Sequence, residues 1–167
     1  MKRLRFVISS LALACQACLC QTAVSDDSVQ RFTPANSPYA RRVVTDPFTL
    51  VNDLKNIDPE VLAAFRTKVE PQYIANRGER FNATDVVTEN LPARRFVLAG
   101  GAPGIWFILY EHGGIAYHHN LVIFSKNEHW KVAAAVQGTV KGEANLESLR
   151  QAVKDGQFFE LAGHPDF

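Results

Sequence analysis

Beyond residue 20 the chain has no cysteine: all three cysteines, Cys15, Cys18 and Cys20, fall in its first twenty residues. A body without thiols excludes a disulfide framework, a thiolate zinc site and cysteine catalysis. Long apolar runs are lacking too. The one near the start, Phe6 to Ala14, is too short to span a bilayer, and no other approaches membrane length, which predicts a soluble or lipid-anchored protein. Basic runs are missing as well. The doublets Arg41-Arg42 and Arg94-Arg95 are too short to form an electrostatic footprint, so no nucleic-acid partner is expected. There is no Ser-His-Asp or Cys-His arrangement, dinucleotide fingerprint or phosphate loop, and nothing implies a cofactor. The glycine-rich stretch Gly100 to Gly104 lacks the lysine and following helix that phosphate binding requires, and reads as a turn.

What is present begins with an address. Lys2, Arg3 and Arg5 precede the apolar run and small residues follow, the layout of a bacterial-style secretory signal over residues 1–20. Leu11-Ala12-Leu13-Ala14-Cys15 resembles a lipobox with Cys15 as the lipidated residue, although Ala12 stands where leucine is preferred. Ordinary cleavage near Cys20 or Ala23 is the alternative. Cys15-Gln16-Ala17-Cys18 has redox-motif spacing, but no histidine follows for haem and no βαβ pattern surrounds it. Removing the leader takes the formal net charge from +1 to about −2. The expected location is the periplasm or outside the cell, with the membrane touched only through a lipid anchor.

Residues 21–38 are polar with no apolar period and are expected to form a flexible tether, leaving 39–167 as a single domain. With 47% hydrophobic and 21% charged residues the chain can bury a core unaided. Asp46-Pro47 predicts a first helix start. Asp58-Pro59-Glu60 predicts a second, running to about Val69 with Val61, Leu62 and Phe65 on its apolar face. Asn145 caps a third from about Leu146 to Asp155, stopped by Gly156, after which Phe158 and Phe159 pack back. Asp85-Val86-Val87 reads as a short edge strand. Asn82-Ala83-Thr84 matches a glycosylation sequon but reads as a polar loop.

Between Arg94 and Val140 four strands follow in quick succession and predict an antiparallel meander. The expected class is α+β, with the two N-terminal helices and the C-terminal helix packed on one face of about four strands. The centre is Gly104 to Phe124, read as a hairpin turning at Gly113-Gly114. That turn sets Tyr110 opposite Tyr117 and Trp106 opposite Leu121. One face then carries Trp106, Ile108, Tyr110 and His112 with Ile115, Tyr117, His119, Leu121 and Ile123, continued by Trp130, Val132, Ala134 and Val136, as the helix-covered core. The other is mixed: Phe107, Leu109, Val122 and Phe124 lie beside Arg95, Glu111, His118, Asn120 and Lys131.

Two functions follow. The mixed face, with binding residues Phe107, Leu109, Asn120, Val122, Phe124 and Lys131, suits a small exported binding module of the cell envelope, of the inhibitor or immunity kind, or a homodimer through the open face. Alternatively that face is covered by the segment from Glu70 to Ala93. The second function is a metal-binding or acid-base enzyme using Glu111 and His118, which this register places diagonally on the mixed face.

Overall fold

The computed structural model describes residues 29–68 and 74–161. The leader, Cys15 and its cleavage site lie outside the described residues, as does the expected helix end at Val69. The elements are β1 (Val29–Arg31), α1 (Pro38–Thr45), β2 (Thr49–Val51), a 3₁₀ turn (Leu54–Asn56), α2 (Pro59–Lys68), β3 (Ile74–Ala75), β4 (Arg94–Ala102), β5 (Ile105–His112), β6 (His118–Lys126), β7 (Trp130–Gly138), α3 (Leu146–Lys154) and β8 (Phe158–Leu161). Among the described residues the class is α+β with an antiparallel sheet and three helices. The sheet has eight strands rather than about four, ordered β1-β8-β7-β6-β5-β4-β2, with the short β3 added parallel to β4.

The extra strands come from stretches expected to be helix or tether. α1 starts at Ser37-Pro38, where the Ser37 hydroxyl accepts from the Ala40 amide at 3.3 Å. Asp46 closes that helix, its carboxylate 2.8 Å from Arg42 Nε. After Pro47 the residues Phe48 to Val51 are aromatic or β-branched in part and extend into β2, paired with Gly101, Gly100 and Ala99 of β4. The polar stretch before α1 is no tether from Val29 onward. Val29–Arg31 pairs with β8, and Phe32 behind it is fully buried.

Where local rules suffice, expectation and structure agree. Asp58 Oδ1 accepts from the Glu60 and Val61 amides and starts α2, which buries Val61 and Phe65. Asn145 and Ser148 exchange side-chain bonds with each other's backbone at the start of α3, and Gly156 ends it at φ +62°. Thr84 to Val86 form a bend and Val87 follows in irregular chain, so Asp85-Val86-Val87 is not a strand.

The register of the central hairpin is a correction. Tyr110 faces Asn120 and His112 faces His118, so five residues, Gly113 to Tyr117, connect β5 and β6 instead of two. The pairing is displaced by three residues, an odd number, and every β6 side chain therefore lies on the face opposite to the expected one. Leu121 and Ile123 join Phe107 and Leu109; Val122 and Phe124 join Trp106 and Ile108. A bulge in β7 leaves Ala133 without a partner on β6, which puts Val132 and Ala134 on different faces too.

Both faces are covered, so the expectation of helices on one face is also corrected. α1 and α3, with Phe32 and Phe158, bury Phe107, Leu109, Leu121, Ile123 and Val136. α2 covers the other face: Val61 and Phe65 pack on Phe96, Ile108, Tyr110, Val122 and Phe124, with Trp106 and Trp130 partly buried at the margin. Fully buried Tyr110 makes an edge contact with Phe65 at 5.7 Å, but its hydroxyl has no hydrogen-bond partner among the described residues, and burial pushes the phenol well above its usual range. Tyr110→Phe removes a desolvated group and loses no bond. It is expected to leave stability unchanged or raise it by up to about 1 kcal/mol in urea denaturation. A loss of that size would show that the hydroxyl is satisfied.

Candidate functional site

At one end of the sheet, where β4 and β6 begin and β5 ends, two polar rows lie back to back. On the face of α1 and α3, Arg95 stands opposite Glu111 and Glu111 opposite His119. On the α2 face, Arg94 stands opposite His112 and His112 opposite His118. Glu111 and His118 are therefore on opposite faces, and the proposed pair is not brought together. The odd register displacement puts His119 beside Glu111 instead.

Glu111 is buried and both its oxygens are taken. Oε1 accepts from Arg95 Nε at 2.8 Å and lies 2.7 Å from Arg95 Nη2; Oε2 accepts from the Tyr117 hydroxyl at 2.5 Å. Burial, then the bond to Glu111, raises the Tyr117 phenol well above its ordinary range, so it remains a donor. The Arg95 guanidinium also sits 4.3 Å from the centre of the Phe81 ring, and its Nη1 donates to the Glu79 carbonyl at 3.3 Å. A carboxylate so occupied organises its neighbours. His119, buried and edge-on to Tyr117 at 5.6 Å, accepts at Nδ1 from the Val140 amide at 3.4 Å. Burial lowers its pKa against the pull of Glu111.

On the other face the His112 and His118 rings meet edge to face at 5.1 Å, and His118 Nδ1 is 2.5 Å from the Ala116 carbonyl. Among the described residues no group of three or more His, Cys, Asp or Glu could hold a metal ion. Burial first, then the charges of Arg94 and His118, lower His112 from 6.5 to about 4. The unfolded chain thus binds this proton at a higher pH than the fold does. The contribution of His112 is fully present above pH 6.5 and is lost as pH falls through about 4. Urea midpoints across that window should fall with acidification, and His112→Gln should flatten that part of the curve. An unchanged slope would mean the ring is protonated in the fold.

The expected binding face fares differently. Phe107, Leu109, Asn120, Val122 and Phe124 are all buried, so they offer no surface to a partner or to a second copy. Lys131 is exposed but lies opposite Ser125, at the far end of β6. Of the segment from Glu70 to Ala93, only residues 74–93 are described, and of these Ile74 packs on the α2 side; the helices α1, α2 and α3 supply most of the cover.

Sequence reasoning missed the loops at this end. Asn82 is buried, and its side chain spans the loop it begins: Nδ2 donates to the carbonyls of Thr88 at 3.2 Å and Leu91 at 2.8 Å, while Oδ1 accepts from the Thr88 amide at 2.8 Å. Its own amide donates to the Pro92 carbonyl at 2.8 Å. The amide nitrogen of the sequon is thereby fully used inside the protein. Asn82 and Gly113 are packed backbone to backbone: a Cβ on Gly113 would fall 1.7 Å from the Asn82 carbonyl oxygen. This contact explains the five-residue connection, because Gly113 is spent on close approach and not on turning. An open cleft of about 660 Å³ lies on one side of the loop, lined by Phe81, Val86, Arg95, Glu111 and Tyr117 among others. Another of about 450 Å³ lies on the other, between Val87, Asn90 and Gly113-Gly114. The signal that could have located this region is Asn82 followed by Asn90 and Pro92, a cluster of turn formers around an apolar pair.

No protein-family model matches the chain, and neither a curated protein nor a solved structure is significantly similar to it. Its function has to be read from this geometry.

Proposed function

We propose that the protein is an exported binding module of the bacterial cell envelope, of the inhibitor or immunity kind, and that it binds with the loop end of its sheet. One observation carries the reading. Of the large apolar side chains left exposed among the described residues, four lie on the two loops at this end: Val86 at 74%, Val87 at 76%, Ile115 at 95% and Tyr117 at 47%. Exposed apolar side chains gathered beside clefts, in a fold that covers both faces of its sheet, are the usual mark of an interaction surface. The Arg95–Glu111–Tyr117 network beneath them holds the rim in place. The basic and apolar leader supports the assignment to the envelope.

The test is a photo-crosslinking residue at Ile115, with Leu50 on β2 as the control position, in cells exporting the full chain. A discrete protein adduct from Ile115, absent from Leu50, is the expected result. Equal labelling from both positions, or none from any position at this loop end, would overturn the reading.

A further inference from the structure

We infer that the segment from Thr84 to Glu89 is a preorganised wedge, with Val86-Val87 at its apex, that enters a concave apolar pocket bordered by lysine or arginine side chains on a protein partner. The inference deepens the binding-module reading and rests on it.

Four observations lead there. The first is shape: Val86 and Val87 are three-quarters exposed at the tip of a loop, with a cleft on each side, so the contact surface is convex and its complement is a pocket. The second is rigidity. Exposed apolar loops are ordinarily held by little, whereas this one is laced from within by the three hydrogen bonds of the buried Asn82 side chain. The Thr84 hydroxyl also accepts from the Val86 amide at 3.3 Å. Asn90, at φ +68°, takes a left-handed conformation that lets the chain return to Pro92. A loop held in its bound shape before contact avoids the ordering cost that weakens flexible binders.

The third is anchorage, since Gly113 admits the loop only by lacking a side chain, and the base is therefore seated against β5. The fourth is charge. Asp85 and Glu89 flank the apex, both are exposed, and neither forms an ion pair among the described residues. Among the described residues that line the same cleft Arg80 is the one exposed base, since Arg95 is paired with Glu111. Two unpaired carboxylates beside two valines oppose an anionic lipid surface and favour a cationic rim around an apolar pocket.

The experiment places the photo-crosslinking residue at Val87, with Ile115 in parallel, and maps the adduct by mass spectrometry in the full-length protein. A single protein adduct is expected, whose labelled peptide lines a concave site containing Lys or Arg. Its yield should fall about tenfold in Asn82→Ala, which loosens the loop, and severalfold in Asp85→Asn/Glu89→Gln or when salt is raised from about 0.05 to 0.5 M. Circular dichroism and a urea midpoint show whether Asn82→Ala still folds; the charge variant, which touches no contact of the fold, keeps the test valid if it does not. An adduct with a second copy, with lipid, or with a flat or acidic protein surface would overturn the wedge. So would labelling from Ile115 with none from Val87, a result that leaves the binding-module reading standing. Labelling from neither position removes both.

Discussion

Phe107→Ala and Phe124→Ala are each expected to cost about 3–5 kcal/mol of stability, the range for aromatic truncation in a packed core. Both residues were legible in the sequence as candidates for an open binding face, and an exposed aromatic would cost far less to remove. In the structure Phe107 lies under α1 and α3, with its ring 4.9 Å from that of Phe48 in an edge contact and directly over Gly100, where a Cβ would fall 2.5 Å from it. Phe124 lies on the other side of the sheet, edge-on to Phe65 at 6.5 Å, opposite Trp106 and within the cluster that includes Trp130. Because the two are separated by the sheet, their costs should add, and the double variant should not fold. Tryptophan emission distinguishes the faces: Phe124→Ala should shift it to the red while the chain is still folded, and Phe107→Ala should not. If either variant melts within 1 kcal/mol of the parent, that face of the sheet is not the interior described above.

Arg95→Met should cost about 3 kcal/mol, and more than Glu111→Gln. The asymmetry follows from burial. The Glu111 side chain is 10% exposed and that of Arg95 31%. Deleting the guanidinium leaves a buried carboxylate with only the Tyr117 hydroxyl to satisfy it, and uncompensated buried charge is among the costliest defects a single substitution makes. Deleting the carboxylate's charge instead leaves an arginine that can turn toward water while the amide oxygen of Gln still accepts its bond. Arg95→Met combined with Glu111→Leu should recover a large part of the loss, as an apolar pair of similar volume often does. Urea denaturation of the four proteins closes the cycle. Equal costs for the two single replacements, or no recovery in the double, would show that the pair is solvated.

How far the sequence could be read depended on the range of the interaction that decided each feature. α2 and α3 were legible because Asp58 and Asn145 cap their own helices, and the meander was legible because short connections leave neighbouring strands no other partner. The hairpin register was not. Gly113-Gly114 looks like a complete two-residue turn, but Gly113 is held by the Asn82 backbone, a residue distant in sequence, and the turn opens to five. One odd displacement then misassigned every β6 side chain, which is why Glu111 was given His118 as its neighbour in place of His119. Val86-Val87 resembled a strand because β-branched pairs favour one; only the internal bonds of Asn82 make it a loop. β1 was hidden for a simpler reason: its partner is at the other end of the chain.

That pairing governs when the protein can finish folding. Val29 lies opposite Leu161, and the Phe32 amide donates to the Phe158 carbonyl at 2.7 Å, so β1 emerges from a ribosome with nothing to pair with until β8 has followed it. The four strands of the meander pair with one another, and the α2 layer completes its cluster, before α3 appears, whereas the α1 and α3 layer is sealed by Phe32 and Phe158 together. Closing so long a loop comes late and is paid for by native contacts already made elsewhere. A chain arrested before β8 would therefore present Phe32 and the α1 side of its sheet to chaperones and proteases, which makes delivery of β8 the checkpoint for its survival.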